Sequence, residues 1–139
     1  MLTGTCLCGA CEVTIQQKPA FQVACHCTDC HKVSGGAFTT NLFIPPEEVE
    51  SLESSVLLVD RSWERKAPVC PRSPSVRPPA RDTADDLEAE TGIFPECTSL
   101  PFYLEVFAKD RFDKLSDIAG AKVSQITPSV EAKDLPSKD

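Results

Sequence analysis

Along the first half of the chain, apolar and polar positions alternate in short runs separated by prolines and glycines. Cys11-Glu12-Val13-Thr14-Ile15 alternates as a half-buried strand would, and Lys18-Pro19 closes it. Phe21-Gln22-Val23-Ala24 predicts a second strand, which leads directly into a group of cysteines. Ser34-Gly35-Gly36 permits a tight turn, and the β-branched and aromatic residues from Ala37 to Ile44 predict a third strand, ended by Pro45-Pro46. Glu47 to Glu53 reads as an acidic helical turn, Ser55 to Asp60 as another strand, and Leu100 to Ala108 as an aromatic strand. Between them the pattern fails. Five prolines fall within Ala67–Arg81, where neither a ladder nor a helix is expected to persist, and Asp82–Glu90 is polar and acidic. Regularity returns at Thr91–Cys97, and residues 127–139 read as a disordered tail. These patterns predict a mainly β fold, one domain over residues 1–126, with an irregular, mobile stretch at 67–90.

Composition changes this picture in two ways. The 139 residues suffice for a hydrophobic core, so the eight cysteines are not needed as staples. With 21 acidic against 14 basic side chains the net charge is −7, which lacks the phosphate attraction that nucleic-acid binding needs. A local exception runs from Arg61 to Arg81, with six basic residues against Glu64, either a solvated segment or an anion-binding patch. The opening residues carry no basic and apolar pattern of a secretory signal, and the longest aliphatic run, Val56–Val59, is far short of the roughly 20 residues of a membrane span. A soluble, cytoplasmic protein with neither nucleic acid nor membrane as partner is expected. A reducing compartment also argues against the rival reading of the cysteines as a disulfide framework.

Five of the eight cysteines lie in two tight clusters, Cys6-Leu7-Cys8 and Cys25-His26-Cys27-Thr28-Asp29-Cys30. Zinc holds each sulfur at about 2.3 Å in a tetrahedron, so its thiolates lie within roughly 4 Å of one another, and Cys-x-Cys or Cys-x-x-Cys spacing brings them that close locally. Cys25 and Cys27 share one side of an extended backbone while His26 points away, and a turn after Cys27 brings Cys30 round. Three protein ligands leave a tetrahedral position for water or substrate, as in a catalytic zinc site; a fourth thiolate would make the site structural. His26 and His31 are possible further ligands, although a histidine beside a cysteine knuckle more often packs or donates a hydrogen bond. Cys6 pairs with Cys8, or Cys8 with Cys11; Cys11 opens an apolar strand face and is better read as a buried filler.

The motifs in this order, Thr5-Cys6-Leu7-Cys8-Gly9-Ala10, then Cys25 to Phe38, then a later cysteine before Ser99-Leu100-Pro101, resemble the glutathione-dependent formaldehyde-activating enzyme family, which includes centromere protein V. The resemblance covers residues 4–46 most closely. It implies a β-tent-like zinc-binding domain with cysteine-only sites and carbon–sulfur lyase chemistry on S-hydroxymethylglutathione, the glutathione adduct of formaldehyde. By that resemblance Cys25, Cys27 and Cys30 hold the catalytic zinc, while Cys6 and Cys8 join a later Cys-x-x-Cys pair around a structural zinc.

The later pair departs from the family wording. Ile93-Phe94-Pro95-Glu96-Cys97 keeps Cys97 but places Phe94 where the other ligand belongs, and phenylalanine cannot bind zinc. Cys70, in the proline-rich stretch, is an alternative ligand across a long loop. Three readings follow from the residues: a zinc-dependent lyase acting on a small thiol adduct, a non-catalytic zinc-binding interaction module, and a metal-deficient pseudoenzyme. The oligomeric state is not legible in the sequence.

Overall fold

A computed structural model describes residues 1–54, 76–77 and 87–126. Among these residues the protein is mainly β, with one α-helix and strands in two sheets. Contacts divide the chain into two compact units, residues 1–18 with 42–98, and residues 19–41 with 99–139. Each unit is discontinuous in sequence.

The first unit holds the antiparallel sheet β1-β2-β5, made of Leu2–Thr5, Cys11–Ile15 and Val49–Ser54. The alternation of β2 holds over Cys11, Glu12 and Val13 and then fails, because Thr14 is buried as well as Ile15. Strand β1 carries one buried side, at Gly4, and too little apolar character to be seen in advance. Thr3 and Thr14 face each other across the pair with their hydroxyls 3.0 Å apart.

The acidic segment after Pro45 is a correction. Only Pro46–Glu48 forms a 3₁₀ turn, and Val49–Ser54 is strand β5. Acidic residues favour a helix start, but β5 gains an antiparallel ladder with β2, from Cys11↔Ser54 to Ile15↔Val49 with a register shift between Thr14 and Ile15, and that pairing outweighs local preference. A second correction falls inside the proline-rich and acidic stretches. Val76–Arg77 (β6) pairs antiparallel with Leu87–Glu90 (β7), and β7 neighbours β4. Val76 and Arg77 are enough for a short ladder, since no proline is among the paired positions. The strand expected over 55–60, Cys70, and the tail over 127–139 lie outside the described residues.

The second unit is built around β3, Gln22–Cys25, all four of whose residues are buried. It is flanked on one side by the start of β4 (Thr39–Ile44), antiparallel, and on the other by β8 (Phe102–Val106), parallel. Strand β9, Lys122–Val123, adds in parallel to β8. With both faces of β3 buried no alternation marks it, and the buried Gln22 is satisfied by donating its side-chain amide to Leu100 O at 2.7 Å. The helix α1, Thr28–Ser34, follows β3 after two residues.

Candidate metal centre

Three features of the sequence turn the chain sharply at the end of β3. Cys27 is the N-cap of α1 in extended conformation, and its sulfur accepts the Cys30 N–H at 3.3 Å. Asp29 sits in the first turn and Lys32 in the last, where each charge complements the helix dipole. Gly35 ends the helix with φ of 67°, a left-handed conformation that glycine adopts without a Cβ penalty, and its N–H reaches His31 O at 2.9 Å. Seven residues are too few for a helix to stand alone, so these caps and the attachment to β3 define it. The sequence reading expected only a turn after Cys27. The helix supplies it.

The consequence is a three-thiol group. The sulfurs of Cys25, Cys27 and Cys30 all lie within 4.8 Å of one another, with Cys25 and Cys30 buried and Cys27 half-buried. A hydrogen bond with Cys30 and burial push the Cys25 thiol far up, and burial does the same to Cys27. Cys25 and Cys27 therefore resist ionising, and a bound cation reverses that balance by deprotonating its thiol ligands outright. Soft sulfur donors at this separation fit Zn²⁺, needing a contraction of only about 1 Å to reach the tetrahedral spacing.

Neither histidine belongs to this group of three. The His31 ring packs on Phe112 with centroids 4.7 Å apart. His26, the residue after β3, is buried, and its Nε2 lies 2.8 Å from a Glu105 carboxylate oxygen on β8. The same oxygen accepts from Arg111 Nη2 at 2.9 Å, and the other accepts the Ile118 N–H. Arg111 in turn pairs with Asp117. Sequence reasoning missed Glu105 and Arg111; the one available signal was a single carboxylate inside the apolar run Leu104-Glu105-Val106.

The first unit treats its cysteines differently. Cys6 and Cys11 close a hairpin turn between β1 and β2, with Cys6 N–H donating to Cys11 O at 3.0 Å and Cys11 N–H to Cys6 Sγ at 3.3 Å. Cys11 is buried against Cys6, as a filler should be. The sulfurs of Cys6 and the exposed Cys8 are 3.4 Å apart, a ligand-like separation and well beyond the roughly 2.05 Å of a disulfide. Cys97 is fully buried in a 3₁₀ turn, Pro95–Cys97, yet it does not join Cys6 and Cys8 in a group of three ligand atoms among the described residues. Phe94 is fully buried, and its ring lies against Gly4 so closely that a Cβ there would be 2.8 Å from Phe94 Cε1. The position expected for a ligand is thus occupied by core packing.

No helix among the described residues is long and apolar enough to cross a membrane. The sequence model of the family described as glutathione-dependent formaldehyde-activating enzyme matches residues 1–76, which is more than half of the 139 and includes both cysteine knuckles. No curated protein matches the chain.

Proposed function

The chain belongs to the glutathione-dependent formaldehyde-activating enzyme family, and from that premise we propose that it is a zinc-dependent carbon–sulfur lyase acting on S-hydroxymethylglutathione or a related thiol adduct. The observation that carries this reading is the three-thiol group of Cys25, Cys27 and Cys30, with ligand atoms inside 4.8 Å. Those residues would hold the zinc. Bound there, the ion would supply a Lewis acid that polarises the sulfur or the hydroxymethyl oxygen of the adduct.

In the synthetic direction a C–S bond forms between the thiol sulfur and the carbonyl carbon, the π pair moves to oxygen, and the thiol proton ends on that oxygen. The reverse breaks the same bond. Cys25 and Cys30 are buried and Cys27 is half-buried, so substrate approaches on the Cys27 side. The cap hydrogen bond from Cys30 N–H holds the Cys27 sulfur in place while substrate comes and goes. Thiolate ligands of this kind persist in a reducing compartment, which favours the cytoplasm and its glutathione pool. We assign Cys6, Cys8 and Cys97 to a second metal position that lacks its fourth ligand at Phe94 and therefore holds no firm zinc in the wild-type chain.

The test is zinc per chain by native mass spectrometry, together with the rate of adduct formation from formaldehyde and glutathione. Bound zinc with a rate above the uncatalysed reaction is expected. Bound zinc without acceleration would replace this reading with the non-catalytic interaction module, and absence of zinc would leave the pseudoenzyme.

A further inference from the structure

His26 is the residue between two of the three clustered thiols, and the structure ties it down twice to the same neighbouring strand. Its backbone N–H donates to Val106 O at 3.0 Å, continuing the parallel ladder in which Cys25 pairs with Val106. Its ring Nε2 lies 2.8 Å from Glu105 Oε2, one residue earlier on β8. Glu105 itself is fixed, because Arg111 and the Ile118 N–H donate to its two oxygens and its backbone carbonyl accepts from Ser124 N–H at 2.8 Å. A carboxylate that accepts from both of these donors is an acceptor toward His26 as well, so Nε2–H is the donor. Both partners are buried, 1% exposed for His26 and 0% for Glu105.

A buried carboxylate needs a reason, since burying charge is unfavourable unless it is fully paired. We propose that Glu105 is a positioning residue for the Cys25–Cys27–Cys30 centre: through His26 it fixes the stretch of backbone that carries the first two sulfurs. Rotation of the His26 peptides would move Cys25 and Cys27 in opposite directions, so anchoring that one ring sets the spacing of the pair. The Cys27 cap then relays the spacing to Cys30. The arrangement has the logic of an outer-shell partner that orients a metal ligand, exerted on the residue between two ligands. It rests on the reading of these thiols as a metal site.

The experiment uses the full chain. Zinc affinity is measured by chelator competition, and site geometry by the charge-transfer and d–d bands of the cobalt-substituted protein. Glu105→Gln and His26→Gln should each weaken zinc binding by about tenfold and shift the cobalt bands. The double variant should be no weaker than either single, because both act through one contact. Val13→Ala, a buried change in the other unit, should lower stability and leave affinity and bands as in wild type. Wild-type affinity and bands in Glu105→Gln, additive losses in the double variant, or an equal loss in Val13→Ala would each overturn the proposal. Where the polar variants fail to fold, nitrogen chemical shifts of the His26 ring in wild type decide: coupling is reciprocal, so zinc must move them, and unmoved shifts overturn the proposal. A wild type that binds no zinc at these thiols overturns both this proposal and the functional reading, whereas zinc binding indifferent to Glu105 overturns this proposal alone.

Discussion

In the first knuckle, Cys6 and Cys8 face each other across 3.4 Å at the tip of a hairpin; in the second, Cys25, Cys27 and Cys30 bring three sulfurs within 4.8 Å at the start of a helix. Local chain geometry completes the second. A strand that stops at Cys25 and a helix capped by Cys27 place three thiols within six residues, none of them drawn from distant sequence. In the hairpin Cys6 and Cys8 lie at a ligand-like separation while Cys11 is buried against Cys6 as core, so further sulfurs must come from elsewhere in the fold, and Phe94 packs against Gly4 instead. A metal site that depends on distant ligands is therefore easier to lose than one written in a single turn.

The comparison is broken most directly by removing one sulfur from each knuckle. Cys27→Ser should abolish most zinc binding at the second knuckle and with it turnover, because two thiolates hold too little charge to compete with water. Cys8→Ser should leave that zinc in place. Native mass spectrometry of the two variants beside wild type checks both, and equal zinc content in Cys27→Ser and wild type would refute the difference.

Phe94 tests the packing beside the first knuckle. Phe94→Ala should lower unfolding free energy by about 3–5 kcal/mol, as expected for a fully buried phenylalanine. Phe94→Cys should be less stable than wild type without metal, gain about one further zinc per chain, and recover stability as zinc is added. Denaturant unfolding with and without zinc makes the measurement; a zinc count unchanged from wild type would mean the hairpin site is completed in some other way.

Gly4→Ala is a milder probe of the same contact. The added methyl would meet Phe94 Cε1 at 2.8 Å and the Ile93 carbonyl oxygen at 2.9 Å, and a loss of about 1–3 kcal/mol is expected from overpacking. In a Phe94→Leu background the loss should shrink, although the backbone carbonyl remains in the way. Equal losses in both backgrounds would assign the strain to Ile93 alone.

The pH dependence of the metal-free protein is the mildest test. Cys25, Cys27 and Cys97 are all pushed above the ordinary thiol value of 9.0, Cys25 first by its hydrogen bond with Cys30 and the others first by burial. Below 9.0 these thiols are protonated in both folded and unfolded chains, so their contribution is fully present; as pH rises, the unfolded chain ionises first and stability falls. Zinc-loaded protein carries ionised ligands already and should lack the part of this decline that belongs to Cys25 and Cys27. Urea midpoints from neutral pH to about 10, with and without metal, test it.

Cysteine spacing, proline positions and two-residue alternation determined the mainly β character, strand β2, the approximate places of β3, β4 and β8, and the three-thiol group, because each depends on neighbours a few residues away. The acidic segment that became β5 did not announce itself, since only the ladder with β2 makes Val49–Ser54 extended. Nor did β6 and β7, whose four paired positions stabilise each other and have no pattern of their own. Glu105 became the partner of His26 only when β8 settled parallel to β3, nearly eighty residues away along the chain, with Arg111 held on Glu105 in turn, and Phe94 became a packing residue only when it met Gly4. The three-thiol group was legible because its cysteines lie within one turn of chain; what surrounds them was decided by tertiary structure, because hydrogen bonds and close packing between distant segments exist only after the fold has brought them together.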